Sequence, residues 1–330
     1  MKAPAKYFYF FLIAVTLILS SCKKDTTQAP EPEPMPSQPG FSTNNVQSLL
    51  NNLATPVETY TVNATSYHYF TAANGTAIYI YPNAFLTQAG APVSGAVTIQ
   101  VKDVLSKKDM ILNNAIPVSN GQLLVSGGEV YFNATQGGQK LKMNPASAVH
   151  INVPATSPST QMKEFYATGP ANLSNTNLNW ATATTTANIA VIQDTTGAGG
   201  APFYYSFQSD SVSWSNCDYF YNIPGVKTTC NVNLTGSFDN SNSAVFLSMN
   251  GVATLVRLNS SYTAASQQFQ SYLNSIPEGV AYTVVAISFD GTNYFYGSQV
   301  VTMTTDMVIN LPALTQTTKS QIESNLSTLP

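Results

Sequence analysis

Charge is what this 330-residue chain has least of: Asp, Glu, Lys and Arg together make up 9%, against ~25% in an ordinary soluble domain. Its 13 Lys and Arg stand against 16 Asp and Glu, and two of the lysines, Lys2 and Lys6, lie at the extreme N-terminus. Without those two, residues 22–330 carry a net charge near −5. That balance attracts neither nucleic acid nor an anionic membrane surface. Histidine is scarcer still. His68 and His150 are the only two, far apart and in strand-like stretches, so no His-Glu-x-x-His metal site exists. Beyond Cys22 the sequence also lacks a Gly-x-Ser-x-Gly elbow, a Ser-x-x-Lys pair, and Walker or dinucleotide glycine patterns, which removes the commonest hydrolase and nucleotide signatures. No catalytic residue, metal or cofactor is implied. What remains abundant is neutral polar surface (Asn, Thr, Ser, Gln) with 18 Tyr and 16 Phe, a composition that suits an exported β protein.

The N-terminus carries the sharpest signal. A basic start is followed by an apolar stretch, Tyr7 to Leu19, broken only by Thr16, and then by Ser20, Ser21 and Cys22. At roughly 13 residues the apolar core is too short for the ~20 of a spanning helix, but it fits the core of an export signal. Leu19-Ser20-Ser21-Cys22 resembles the bacterial lipobox. The resemblance implies cleavage after residue 21, lipid on the Cys22 thiol, and an outer-membrane anchor on the periplasmic face or cell surface. Residues 22–41 then read as a tether: Pro30, Pro32, Pro34, Pro36 and Pro39 favour extended polyproline II, spanning about 50–60 Å at about 3.1 Å per residue.

Beyond the tether the expected fold is mostly β, with two antiparallel β-sandwich-like domains, a short N-terminal helix and a C-terminal helix. Val46, Leu49, Leu50 and Leu53 have helical spacing. Short runs of β-branched and aromatic residues then alternate with Asn-Gly, Gly-Gly and Asp-Gly turn signals. This places a first β domain at 42–157, a connecting segment at 158–200 ending in the flexible Gly197-Ala198-Gly199-Gly200, and a second β domain at 201–330. Ser320-x-x-Glu323 matches a capping box for a last helix, with Ile322, Leu326 and Leu329 on one face. Cys217 and Cys230 are an even pair in an oxidising compartment, which favours a disulfide. It would close a loop of roughly 14 residues, worth about 3 kcal/mol; the alternative is two buried thiols.

Gly75 to Phe85, with its Pro82-x-Ala84-Phe85 corner, and the strand Gly95 to Val101 resemble the ZU5-like β-sandwich. Similar segments occur in bacterial surface lipoproteins, followed as here by Ser126-Gly127-Gly128-Glu129 and, further on, by Trp214-Ser215-Asn216-Cys217-Asp218. The resemblance implies an interaction module with no catalytic residues to carry over. Six acids near turns and strands (Asp103, Asp109, Glu129, Asp218, Asp239 and Asp290) are read as turn and cap chemistry rather than a glycosidase pair. Aromatics at i, i+2 on a strand share a face and could stack on sugar rings. Tyr79 with Tyr81 is one such pair, and Tyr204, Tyr219, Tyr294 and Tyr296 are the preferred contact candidates. The expected function is a non-enzymatic, lipid-anchored envelope protein that binds an envelope protein or a glycan. The competing expectations are a carboxylate-dependent polysaccharide- or peptide-degrading enzyme and a structural spacer.

Overall fold

Alternation of period two builds most of this chain. In Ala96–Val104, for example, Val97, Ile99 and Val101 are buried while Ala96 and Thr98 are exposed. The computed structural model describes residues 45–168, 178–183, 189–195, 202–222, 224–258 and 268–330. Cys22, the tether and the Gly197–Gly200 joint lie outside the described residues. Among the described residues no helix is long and apolar enough to cross a membrane.

The principal strands of the first body are β1 (Glu58–Asn63), β2 (His68–Thr71), β3 (Ala77–Ile80), β4 (Ala96–Val104), β5 (Gln122–Gln136), β6 (Val149–Ala155), β7 (Lys163–Thr168), β8 (Asn179–Thr182), β9 (Ala190–Gln193), β10 (Phe203–Ser209) and β11 (Trp214–Phe220). One sheet runs β1-β4-β5-β11-β7-β8 and the other β9-β10-β6-β3-β2, with these pairs all antiparallel. Their facing sides bury Ile78, Ile80, Ile99, Val101, Phe132 and Ile151, each contributing about 1.5–3 kcal/mol by leaving water. At the rim, Tyr60 of β1 stacks on Phe70 of β2, ring centroids 4.1 Å apart, and so joins the two sheet edges.

The second body follows with β12 (Asn231–Asn233), β13 (Ser243–Met249), β14 (Leu255–Leu258), β15 (Gln268–Gln270), β16 (Ala281–Phe289), β17 (Tyr294–Thr302), β18 (Val308–Asn310) and β19 (Thr315–Thr317). Its five-stranded sheet runs β14-β13-β16-β17-β19, and a three-stranded sheet runs β15-β12-β18. The β12–β18 pair is parallel. Every residue of β13 is buried, so this strand is covered on both faces. Three helices gather beside it: α1 (Asn45–Leu53), α2 (Lys107–Asn113) and α3 (Lys319–Ser327), with α1 packed on β16.

The mostly β class of the sequence reading is therefore what forms, but its boundaries move. Lys163–Thr168, Asn179–Thr182 and Ala190–Gln193 are not merely connection, because they form β7, β8 and β9 of the first sandwich. Phe203–Phe220, assigned to the second domain, returns to the first as β10 and β11. Conversely α1, assigned to the first domain, packs on the second. α2 has no strong apolar stripe to announce it; its signal is the cap, where Ser106 accepts from the Asp109 amide at 3.1 Å and Asn114 ends the helix in the left-handed region. The last helix is capped by Thr318, not Ser320: Thr318 accepts from the Gln321 amide at 3.2 Å. The two bodies also share one apolar cluster, which runs from Trp180 and Trp214 through α1 to Val284 and Leu326. Ser126 N–H donates to Ala253 O at 2.9 Å, and Thr254 Oγ1 donates to Leu124 O at 2.8 Å.

Candidate functional site

The outward face of the five-stranded sheet of the first sandwich is paved with rings. Register places Tyr69 opposite Tyr79, Tyr79 opposite His150, and His150 opposite Gln208, so these four form one row across four strands. The next row holds Thr71, Ala77, Asn152 and Ser206 by the same pairing. Tyr69 is 55% exposed, Tyr67 52% and Tyr81 43%. The rings touch one another: Tyr67 and Tyr81 lie edge-on at 5.5 Å, Tyr81 and His150 at 5.5 Å, and Tyr69 and Tyr79 are tilted at 5.0 Å. Such contacts add about 0.5–1.5 kcal/mol each beyond burial, so the rings hold one another in place without a ligand. Burial raises the Tyr79 phenol pKa, and the neighbouring Tyr69 and Tyr67 add to this, while a hydrogen bond from Asn152 opposes it.

The hairpin that carries Tyr69 and Tyr79 is fastened from behind. Asp103 of the opposite sheet is fully buried and accepts from the backbone amides of Asn74 and Thr76 at 3.1 Å. The Asn74 side chain returns a bond to Asp103 O at 2.8 Å. Burial raises the Asp103 pKa while these bonds lower it. At the other end Pro82 closes the strand, and Asn83 makes the corner at φ 62°.

The four tyrosines preferred from sequence do not come together. Tyr204 is buried at 8% exposure, and Tyr219 is half-buried against the first core. Tyr294 packs on Phe289 at 4.7 Å beneath the Lys319 ammonium. Tyr296 alone reaches a concavity, an open groove of about 430 Å³ lined also by Ser298, Thr315, Gln316, Gln321 and Asn325. Alternation identified which aromatics share a strand face but not which face a neighbour covers; of the pair Tyr79 and Tyr81, Tyr81 is exposed and Tyr79 half-buried.

The expected Cys217–Cys230 bridge is not formed: both are free, buried thiols. Cys217 faces the core of the first sandwich and Cys230 the core of the second, so two separate hydrophobic interiors hold them apart. Burial pushes the Cys230 thiol up to about 12 and raises Cys217 as well.

The two later motifs, by contrast, meet. Ser126-Gly127-Gly128-Glu129 on β5 pairs with Asn216-Cys217-Asp218 on β11 across a bulge, with Asn216 opposite Glu129 and Asp218 opposite Ser126. A side chain at Gly128 would strike Val153 and Leu105 at 2.6 and 2.7 Å, which is why glycine stands there. Asn216 Nδ2 donates to Asp218 Oδ2 at 2.7 Å, and Gly128 N–H to Ser126 Oγ at 3.1 Å. Glu129 is fully buried with neither carboxyl oxygen partnered. Burial, reinforced by Asp218, raises its pKa well above the usual carboxylate range. Asp218 is raised by burial too. Of the other acids weighed from sequence, Asp109 bonds Ser106 at 2.6 Å in the cap. Asp239 accepts from the Ser241 amide at 2.8 Å, and Asp290 from the Thr292 amide at 2.8 Å, both in turns. Among the described residues no group of three or more His, Cys, Asp or Glu is placed to hold a metal ion.

No protein-family model matches the chain, and no curated protein is detectably similar to it.

Proposed function

We propose that the protein is a lipid-anchored, non-catalytic binding component of the cell envelope, held by Cys22 at the outer membrane on an extended tether. It meets an envelope protein or a glycan through the aromatic sheet face of its first sandwich. The observation that carries this reading is the open set Tyr67, Tyr69 and Tyr81, three large rings each more than two-fifths exposed, Tyr69 within β2 and Tyr67 and Tyr81 at the ends of β2 and β3. Single exposed apolar residues are ordinary, whereas contiguous ones mark contact surfaces. Supporting the anchor are the lipobox-like Leu19-Ser20-Ser21-Cys22 and the five prolines that follow it.

Two measurements test the two halves of the proposal. Cys22→Ser is expected to move the protein out of the membrane fraction, and a variant that still sediments with the bilayer overturns the anchor. In crosslinked envelopes, Tyr69→Ala/Tyr81→Ala is expected to lose the adducts that the parent forms. Adducts unchanged in that variant overturn the face.

A further inference from the structure

The aromatic face has no formal charge on it. At the outward positions of its five strands, from Tyr69 and Thr71 across to Ala190 and Ile192, there is no Asp, Glu, Lys or Arg. An anionic polymer therefore finds no cation to pair with, and the net charge near −5 beyond Cys22 repels it at longer range. A cationic ligand finds no carboxylate. Aliphatic groups are few as well, with Ile192 the exposed one on the outermost strand. The mixed aromatic, aliphatic and Arg composition of a protein hot spot is thus missing.

What the face offers is aromatic rings tilted or edge-on to one another, bordered by neutral hydrogen-bonding groups: the Gln208 amide, the Ser206 and Thr71 hydroxyls, and the phenols themselves. A pyranose ring is the complementary object. Its C–H groups form an apolar face that sits on the electron-rich face of an aromatic ring, and its equatorial hydroxyls project sideways to amides. The row Tyr69–Tyr79–His150–Gln208 crosses three strand spacings, about 14 Å at ~4.8 Å each. That length suits several consecutive sugars better than one. The rings are fixed by their mutual contacts and by the Asp103-fastened hairpin, so little side-chain freedom is lost on binding.

We infer that this face binds an extended, uncharged polysaccharide, its sugar rings lying over Tyr69, Tyr79 and Tyr81 with Gln208 bonding the hydroxyls. This inference rests on the reading of the face as the contact surface. The test is affinity electrophoresis of the full chain in mild detergent through gels containing neutral glucans, mannans or galactans, or the anionic alginate and polygalacturonate. Retardation is expected in at least one neutral gel, insensitive to salt, at least tenfold weaker for Tyr69→Ala/Tyr79→Ala and largely kept by Tyr69→Phe/Tyr79→Phe. Gln208→Ala, at an exposed position, gives a second loss that cannot come from unfolding. Retardation only in anionic gels, or in none, overturns the inference, as does neutral binding that survives the alanine variant. Envelope crosslinking of the same variants separates the two levels. A protein adduct, or a dimer of the chain, that disappears with the tyrosines while no gel retards the parent leaves the face as a contact surface and removes the sugar. Adducts and retardation that both ignore the tyrosines remove the face as well.

Discussion

Raising the pH from 5 to 8 should destabilise this protein, and Glu164 is the residue with which to show it. Glu164 lies on β7 at 1% exposure, opposite Cys217 in the sheet register. Burial, outweighing nearby Tyr166 and Ser215, pushes its carboxyl from 4.5 up to about 8. A carboxyl whose folded pKa lies above its unfolded value keeps a proton that the unfolded chain has released. Stability is therefore full below about pH 4.5 and falls as pH climbs towards 8. At ~1.4 kcal/mol per pKa unit, the loss from this group approaches about 4 kcal/mol. Glu129, Asp218 and Asp103 act in the same direction, so the slope is shared among four acids. Arg257, lowered by burial to about 9, titrates above the window, and Lys107, lowered to about 8, offsets only about 0.4 kcal/mol at its upper edge. Glu164→Gln keeps the shape and removes the titration, at a desolvation cost of roughly 1–3 kcal/mol for the amide. The variant should be more stable than the parent at pH 8 by about 1–3 kcal/mol and no more stable at pH 5. Urea unfolding followed by the fluorescence of the buried Trp180 and Trp214 reads this directly. A parent protein equally stable at both pH values, or a Gln variant with the parent's slope, refutes the reasoning.

Two further outcomes follow from the packing. Gly128→Ala combines a φ of 132° with contacts of 2.6 and 2.7 Å to Val153 and Leu105, and should lower stability by about 2–5 kcal/mol; a urea midpoint within error of the parent's would contradict the bulge geometry. Cys217 and Cys230 should resist alkylation in the native protein and both react in guanidinium without any reductant, as intact-mass analysis will show. A mass two protons short, with no thiol to alkylate, would restore the bridge that the spacing first suggested.

Much of the strand content was legible because it rests on local chemistry. Val97, Ile99 and Val101 alternate with polar neighbours, and Asn-Gly and Asp-Gly mark Asn250 and Asp290 as turns whether or not a partner strand is known. The first helix was legible for the same reason, through Val46, Leu49 and Leu50. Harder were the cases in which two local readings competed. The α3 segment offers both Thr318 and Ser320 as caps, and only the packed chain selects Thr318. The Ser-Gly-Gly-Glu and Asn-Cys-Asp motifs were visible separately, but nothing in either says that they pair.

By itself the sequence determined the period of most strands and of the first and last helices, the turns between them and the near absence of charge, since these depend on neighbours within a few residues. The tertiary structure alone decided which face of each strand is covered. It buried Tyr204 although register places it on the same outward side as Ser206 and Gln208, left Tyr69 and Tyr81 at the surface, returned Phe203–Phe220 to the first sandwich, and put Cys217 and Cys230 in separate cores. Those outcomes depend on pairings between strands far apart along the chain, such as β10 with β6 and β11 with β5. The free energy that fixes them comes from apolar area removed from water between elements, a quantity that no single stretch of residues contains.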